Sequence, residues 1–262
     1  MDLIIYAVIA VTVIGIICAA VLSVASKVMA VEEDKRIPLV RECLPGANCG
    51  GCGFPGCDGY AAALVEDEEL PLTLCAPGGE STALALADVL GRSAGEMMRS
   101  LIIRSCNGDC NMTQMKMEYQ GINTCVAAKI VFGGTGKCTY GCMGLGDCAE
   151  VCPKDAIFFG NGIAHINVDK CINCGACIKA CPNGIISMIP ADLKIRIACS
   201  NKDKGAAVRK ICSVGCIGCG LCMKNCPEGA ITIKDNLAVI DYDKCIGCGL
   251  CKSNCPSNCI IM

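Results

Sequence analysis

The first hydrophobic feature is an apolar run with no charged residue from Leu3 to Ser26. A helix rises about 1.5 Å per residue, so this run is long enough to cross a bilayer core about 30 Å thick. We therefore expect one N-terminal transmembrane helix over residues 1–26. The basic residues Lys27, Lys35 and Arg36 follow the run, which predicts that the remainder of the chain lies on the cytoplasmic side of the membrane.

Two other interpretations of this run fit less well. A cleaved signal peptide has basic residues before its apolar stretch, whereas Asp2 is the only charge before this one. A lipoprotein anchor at Cys18 fits poorly with the Ile16 and Ile17 that precede it. We therefore interpret Cys18 as a small apolar residue of the helix.

The apolar pattern in the C-terminal half is different, because short apolar stretches alternate with polar turns. Residues 156–159 and 163–166 flank one turn, and residues 230–233 and 237–240 flank another. Each pair predicts a β-hairpin. Nearer the N-terminus, the segment from Asp58 to Leu64 predicts a helix.

Composition adds the chemistry, because 28 of the 262 residues are cysteine and only one is histidine. This usage predicts a fold organised around metal or disulfides rather than around a large aromatic core. A cytoplasmic location keeps thiols reduced, which favours metal ligation over disulfides.

Most of these cysteines fall into four runs that each end in Cys-Pro. Three runs have the spacing Cys-x2-Cys-x2-Cys-x3-Cys-Pro, which is typical of [4Fe–4S] ferredoxins; the first is a stretched version. Three thiolates of a run bind one cluster, and the proline turn directs the fourth cysteine to the neighbouring cluster. The runs begin at Cys138, Cys171, Cys216 and Cys245.

An internal repeat pairs these runs into two domains. Cys148, for example, recurs 74 residues later as Cys222. Each domain then has pseudo-two-fold symmetry and two clusters, with the fourth cysteines exchanged between runs. The predicted ligand sets are Cys138, Cys142, Cys148 with Cys181; Cys171, Cys174, Cys177 with Cys152; Cys216, Cys219, Cys222 with Cys255; and Cys245, Cys248, Cys251 with Cys226.

A fifth [4Fe–4S] site is predicted closer to the membrane, from a separate group of cysteines in a glycine-rich loop. Glycines let the backbone wrap closely around inorganic sulfide and donate N–H groups to it. The predicted ligands are Cys49, Cys52, Cys57 and Cys75. A sixth cluster on Cys106, Cys110 and Cys125 with a fourth ligand is an alternative that we do not favour, because these spacings match no run above.

The remaining cysteines have no predicted ligand role, and free buried thiols are the simplest interpretation. Cys259 occupies the small-residue position after its Cys-Pro turn, which indicates packing. Structural zinc is the main alternative for the paired cysteines, but zinc ribbons need neither eight cysteines per domain nor the trailing proline. The cysteines without a role are Cys43, Cys199 and Cys212.

Several function classes are not expected. A net charge of −2 offers no basic footprint for nucleic acid. The chain has no nucleotide loop in a strand–helix context, no flavin-attachment site and no acid–base pair, so we expect neither a direct NAD or flavin site nor a substrate-transforming active site. The predicted span carries no Asp, Glu, Lys or Arg and cannot conduct ions by itself.

Two segments resemble a known family. The loop from Leu44 to Cys57 (LPGANCGGCGFPGC) and the segment from Cys138 to Cys148 (CTYGCMGLGDC) closely resemble the B subunit of the Rnf complex. The resemblance covers essentially the whole chain. It implies a membrane complex that couples electron transfer between reduced ferredoxin and NAD to sodium or proton translocation, with this component as the cytoplasmic entry point for ferredoxin electrons.

The resemblance implies soluble ferredoxin as the electron donor and the other membrane subunits of the Rnf complex as partners. A membrane-tethered polyferredoxin that serves a hydrogenase or another oxidoreductase is the alternative. The expected fold class is α+β, with one transmembrane helix, a membrane-proximal [4Fe–4S] domain and two tandem two-cluster ferredoxin domains. The predicted boundaries are 1–26 for the helix, 32–92 for the four-cysteine domain, 93–128 for a connector, 129–190 for ferredoxin domain 1, 191–206 for a linker and 207–262 for ferredoxin domain 2.

Overall fold

The computed structural model describes residues 2–28, 34–95, 100–193 and 195–262. Helix α1 spans Asp2–Val28. Among the described residues, none of the helices combines the length and the apolar character needed to cross a membrane, so the predicted span stays a prediction. The predicted start of the four-cysteine domain, residue 32, lies outside the described residues.

Residues 34–95, which we call the N-terminal unit, form three helices and one short 3-10 turn around a glycine-rich loop. The side chain of Tyr60 is 1% exposed, and its hydroxyl donates to the backbone oxygen of Pro71 at 2.8 Å. This contact fixes the connection after the second helix of the unit against its core. The elements are α2 Arg36–Cys43, α3 Gly56–Glu66, the 3-10 turn Leu72–Leu74 and α4 Gly79–Leu90. The helix predicted from Asp58 is therefore confirmed as part of α3.

Residues 100–193 form the first repeat unit, and residues 195–262 form the second. Both contain a central two-stranded hairpin, helices of four or five residues beside it, and a second antiparallel strand pair at one side. The first repeat unit contains β1 Ser100–Arg104, α5 Cys125–Phe132, α6 Asp147–Glu150, β2 Ile157–Gly160, β3 Ile163–Ile166, α7 Ala176–Ala180 and β4 Ile186–Pro190. The second contains β5 Arg196–Ile197, α8 Gly205–Ile211, α9 Leu221–Lys224, β6 Ile231–Lys234, β7 Leu237–Ile240, α10 Leu250–Ser253 and β8 Ile260–Ile261.

Both predicted hairpins are confirmed. Strand β2 pairs with β3 in the register Ile157 to Ile166, and β6 pairs with β7 in the equivalent register Ile231 to Ile240. The turn residue Asn161 has φ of 51°, which suits the tight turns that join twisted antiparallel strands. Together with the helices, these hairpins confirm tandem ferredoxin-type units with both α and β structure.

The short helices share one local design that places a cysteine at the centre of each repeat. A glycine in the left-handed region precedes each helix, where a residue with a β-carbon would be strained. The second residue of each helix is a buried cysteine, so its thiol points to the interior beside the hairpin. The glycines are Gly146, Gly175, Gly220 and Gly249, and the cysteines are Cys148, Cys177, Cys222 and Cys251.

The strand pairs β1 with β4 and β5 with β8 were not predicted. Strand β1 lies in the segment expected to be a connector, yet it pairs along its whole length with β4 in the register Ile102 to Met188. Strand β5 lies in the segment expected to be a linker and pairs with β8. These pairings bring Cys106 and Cys199, which follow β1 and β5, against the ferredoxin-type core.

Candidate metal centres

The N-terminal unit gathers its four predicted ligands around one small cavity. Cys49, Cys52, Cys57 and Cys75 all line this space of about 10 Å³. The carboxamide oxygen of Asn48 accepts a hydrogen bond from the backbone N–H of Cys57 at 2.9 Å and thereby shapes the loop. Burial raises the pKa of Cys75, and the neighbouring thiols raise this pKa further. These thiols therefore release protons when they bind iron.

In the second repeat unit, both predicted sets come together with the exchanged fourth cysteine. One cavity of about 10 Å³ is lined by Cys216, Cys219, Cys222 and Cys255. A second, of about 20 Å³, is lined by Cys245, Cys248, Cys251 and Cys226. Burial raises the pKa of Cys222 to about 11, and the nearby thiols that raise it further belong to the same set.

Cys259 lies beside the first of these sets. Its side chain is 2% exposed and its sulfur is 3.5 Å from that of Cys255. A hydrogen bond from Cys259 lowers the pKa of Cys216. The buried location agrees with the packing role expected for Cys259 and adds a hydrogen bond to a predicted ligand.

The set of Cys171, Cys174, Cys177 and Cys152 also comes together in the first repeat unit. Burial raises the pKa of Cys177 to about 11, and the thiols of Cys171, Cys174 and Cys152 raise it further. The structure thus brings the last cysteine of the stretched run to the run that begins at Cys171. As ligands, these residues stay a prediction.

The stretched run differs from the prediction in one member. The cavity lined by Cys142, Cys148 and Cys181 is completed by Cys125 and not by Cys138. Burial raises the pKa of Cys148 to about 12, and the thiols that raise it further are likewise those of Cys142, Cys125 and Cys181, with a contribution from the adjoining set. Cys138 instead lines a larger cavity between the two repeat units.

The physical reason is the alignment of the two repeats. The backbone N–H of Ala164 points to the sulfur of Cys142 at 3.5 Å, and the backbone of Ala238, 74 residues later, makes the same bond to Cys216. Cys142 is therefore the first cysteine of its run, and Leu145 occupies the position of Cys219.

Cys125 fills the gap left by this leucine. Burial raises the pKa of Cys125, and hydrogen bonds from the backbone of Leu145 and Asp147 lower it. In return, the backbone N–H of Cys125 donates to the carboxylate of Asp147 at 2.6 Å. These bonds hold the thiol of Cys125 over the loop that lacks its own cysteine. Sequence spacing alone missed this residue.

Two half-buried arginines, Arg104 and Arg196, test whether this region suits an anionic cluster. The Nε and Nη1 atoms of Arg104 and the Nε atom of Arg196 are buried without a hydrogen-bond partner within the described residues. Arg104 lines the cavity of Cys142 and Cys148, and a guanidinium stays charged in proteins. An unpaired buried charge is costly, whereas a cluster with four thiolate ligands is negative, so the site fits it. A bound [4Fe–4S] cluster supplies one-electron redox chemistry.

A single metal ion is a separate case. Within the described ranges, no group of three or more His, Cys, Asp or Glu side chains is close enough to hold one. Two of the unassigned thiols, those of Cys18 and Cys43, lie apart from the sets. Cys18 is exposed on α1, and the thiol of Cys43 donates to the backbone oxygen of Leu39 at 3.4 Å.

Comparison with protein families places these sites in known domains. Residues 44–77 match a model described as a putative Fe-S cluster. Residues 137–185 and 215–259 match a 4Fe-4S dicluster domain, and residues 170–231 match a second model of that description. The chain is therefore an iron–sulfur protein with tandem 4Fe-4S ferredoxin domains.

Comparison with individual proteins is more specific. The chain is 43% identical to the B subunit of the Na(+)-translocating ferredoxin:NAD(+) oxidoreductase complex of Acetobacterium woodii, over 95% of this chain and 74% of the relative. It is 43% identical to the proton-translocating counterpart of Clostridium ljungdahlii, over 92% and 85%, and 37% identical to the corresponding protein of the ion-translocating oxidoreductase complex of Methanosarcina acetivorans, over 88% of each. The chain belongs to this family, the B subunits of the Rnf complex, and serves that complex as an iron–sulfur electron-transfer component.

Proposed function

We propose that this chain accepts electrons from reduced soluble ferredoxin and passes them to other Rnf subunits, where NAD is reduced and ions are moved. The relatives whose names include ferredoxin and NAD support the two ends of this path. The absence of Asp, Glu, Lys and Arg between Leu3 and Ser26 supports placing ion movement on other subunits.

The observation that carries this proposal is the exchange of cysteines between neighbouring runs. In the second repeat unit, Cys255 lies with the run that begins at Cys216, and Cys226 lies with the run that begins at Cys245. Each run thus contributes to two sites, so the two sites of a unit are held side by side by the same segments of chain. Such proximity is what transfer of single electrons between clusters requires.

Five cysteine sets support at least five [4Fe–4S] clusters in this proposal. Four sets are those expected from spacing, and the remaining one takes Cys125 in place of Cys138. The proposed ligands of that site are Cys125, Cys142, Cys148 and Cys181.

The N-terminal segment is proposed to anchor the chain in the cytoplasmic membrane as a single span, with the iron–sulfur units on the cytoplasmic side. Its apolar composition supports this role, and large apolar side chains such as Ile14, Ile16 and Leu22 are exposed on α1. The basic residues that follow the apolar run favour this orientation.

The proposed direction of electron entry is testable with the isolated chain, purified without oxygen. When the chain is mixed with reduced ferredoxin, the visible absorbance of its clusters should bleach. NADH should leave this absorbance unchanged, because the chain is expected to lack an NAD site. A colourless protein with stoichiometric zinc, or bleaching by NADH alone, would contradict the proposal. Copurification with hydrogenase polypeptides in place of flavin-bearing membrane subunits would favour the polyferredoxin alternative.

A further inference from the structure

A cavity between the two repeat units has not been assigned to any of these five sites. It encloses about 230 Å³, whereas the other cysteine-lined cavities enclose about 10 to 20 Å³ each. Of its cysteines, Cys142 alone belongs to one of the five sets. The cysteines that line it are Cys106, Cys110, Cys138, Cys142, Cys199 and Cys212.

Two of these cysteines occupy equivalent positions in the two repeat units. In the first unit, the backbone N–H of Ser105, after β1, donates to the backbone oxygen of Ile185 at 2.6 Å, and Cys106 follows Ser105 directly. In the second unit, the backbone N–H of Ala198, after β5, donates to the backbone oxygen of Cys259 at 2.7 Å, and Cys199 follows Ala198 directly. Both acceptors are the third residue after the proline of a Cys-Pro turn.

Cys106 and Cys199 also accept equivalent hydrogen bonds from the backbone of the two units. The backbone N–H of Cys142 points to the sulfur of Cys106 at 3.4 Å. In the second unit, the backbone of Cys216 makes the corresponding bond to Cys199. Backbone N–H bonds to sulfur are a recurrent feature of iron–sulfur ligands, because they stabilise thiolate charge.

Cys138 and Cys212 form a second equivalent pair. Each lies four residues before the first cysteine of a run, Cys142 in the first unit and Cys216 in the second, and the two are 74 residues apart. The cavity therefore receives two thiols from each repeat unit, related by the internal repeat of the chain.

Three of the four thiols lie beside two glycines of the cavity lining. A β-carbon built at Gly141 would lie 3.6 Å from the sulfur of Cys138 and 3.7 Å from that of Cys106. One built at Gly108, in the loop after Cys106, would lie 3.1 Å from the sulfur of Cys212. A side chain at either glycine would therefore occupy space beside these sulfurs.

Asn201 joins thiols from the two units. It is 2% exposed, and its Nδ2 atom donates to the sulfur of Cys138 at 3.3 Å. Its backbone N–H points to the sulfur of Cys199 at 3.5 Å. A buried carboxamide directed at sulfur is suited to a charged thiolate, since a neutral thiol is a weak acceptor.

We propose that Cys106, Cys138, Cys199 and Cys212 bind a further [4Fe–4S] cluster between the two repeat units. The inference depends on the cluster-binding part of the proposed function. A cluster here would connect the two units, because it would accept an electron from one unit and pass it to the other.

Two other assignments fit the cavity less well. Cys110 lines it but is exposed, and no equivalent cysteine exists in the second unit, so we leave it outside the ligand set. A single zinc ion binds sulfur at about 2.3 Å, and in the part of the chain that the structure describes no group of three or more His, Cys, Asp or Glu side chains is close enough to hold one metal ion.

The test compares the iron content of the full chain with that of two cysteine variants, all purified without oxygen. We expect about 24 iron and 24 sulfide per wild-type chain, against about 20 of each if only the five sites are filled. Cys212→Ala should contain about four fewer irons than the wild-type chain. Mössbauer spectra should show one fewer [4Fe–4S] cluster, with the other clusters unchanged. Cys110→Ala, in the same cavity, is the matched control and should keep the wild-type content.

Wild-type content of about 20 irons would overturn the inference while leaving the proposed function intact. Unchanged iron in Cys212→Ala, or zinc bound in its place, would also overturn it. Absence of iron from the wild-type chain would instead reject the proposed function as a whole. If Cys212→Ala does not fold, as judged by circular dichroism, the wild-type count alone decides between five and six clusters.

Discussion

The carbonyl oxygen of Cys174 lies 2.6 Å from the position that a β-carbon would take at Gly51. Gly51 belongs to the cysteine loop of the N-terminal unit, and Cys174 belongs to a predicted ligand set of the first repeat unit. Only a glycine permits this approach, because the obstructing atom is backbone and cannot rotate away. The loop of the N-terminal unit's predicted site therefore lies directly against the next predicted site.

Gly51→Ala should separate these two units. The added methyl group overlaps the Cys174 carbonyl, and overpacking of this kind costs about 1–3 kcal/mol. We expect faster hydrogen exchange in the loop around Gly51 and slower electron transfer to the first repeat unit, with iron content unchanged. Gly95→Ala is the matched control, since its β-carbon would meet its nearest atom at 3.9 Å. Equal exchange in both variants would show that the contact is not required.

The exchange of fourth cysteines predicts opposite effects from two variants in the first repeat unit. Cys181→Ala should damage the site of Cys142 and Cys148 more than the site of Cys171. Cys152→Ala should do the reverse, because its thiol lies with the other set. Site-resolved EPR of the two variants distinguishes these outcomes, and damage to the run in which the substitution lies would reject the exchange.

The role of Cys125 can be tested by restoring the standard motif. Cys125→Ala should convert its cluster to a three-iron form or lose it, because Leu145 offers no replacement ligand. Adding Leu145→Cys to that variant should recover the four-iron cluster, since Leu145 occupies the position of Cys219 in the other repeat. Mössbauer spectra measure both steps. Full cluster content in the single variant would return the fourth-ligand role to Cys138.

Arg104 should raise the reduction potential of the cluster near Cys142. Its Nε and Nη1 atoms are buried without a hydrogen-bond partner within the described residues, and reduction adds negative charge nearby. Arg104→Met should therefore lower the potential by on the order of 60 mV, which is about a tenfold change in the equilibrium constant of a one-electron reduction. Redox titration followed by EPR measures the shift. Arg209→Met removes an exposed arginine on α8 and should leave the potential unchanged, as a control for net charge.

Removal of residues 1–26 should release the chain from membranes with its clusters intact. The three units have separate hydrophobic cores, and the core residues all lie after this segment. Fractionation and iron analysis of the truncated chain give the result. Loss of iron from a soluble truncated chain would mean that the segment contributes to folding of the sites.

Local patterns predicted the local structure of this protein well. The hairpins follow from short apolar stretches around residues such as Asn161, and their registers need no distant partner. The pairing of β1 with β4 could not be predicted in this way, because Leu101, Ile102 and Ile103 would suit any open strand edge. Long-range pairing depends on which edge the fold leaves available.

The placement of Cys138 shows a second kind of limit. Spacing made it the first cysteine of a stretched run, whereas the 74-residue relation aligns Cys142 with Cys216 and Leu145 with Cys219. The leucine hides that relation, and Cys125 reaches the cavity of Cys142 only through the fold. A cysteine supplied from outside its motif leaves no spacing signal.

Helices α6, α9 and α10 have four residues each, far below the length at which a helix is stable by itself. Such short helices depend on contacts with the rest of the fold, and clusters bound to their cysteines would add contacts of this kind. We therefore expect iron supply to affect the abundance of the protein, because copies made without clusters would be less stable and more readily removed by proteases.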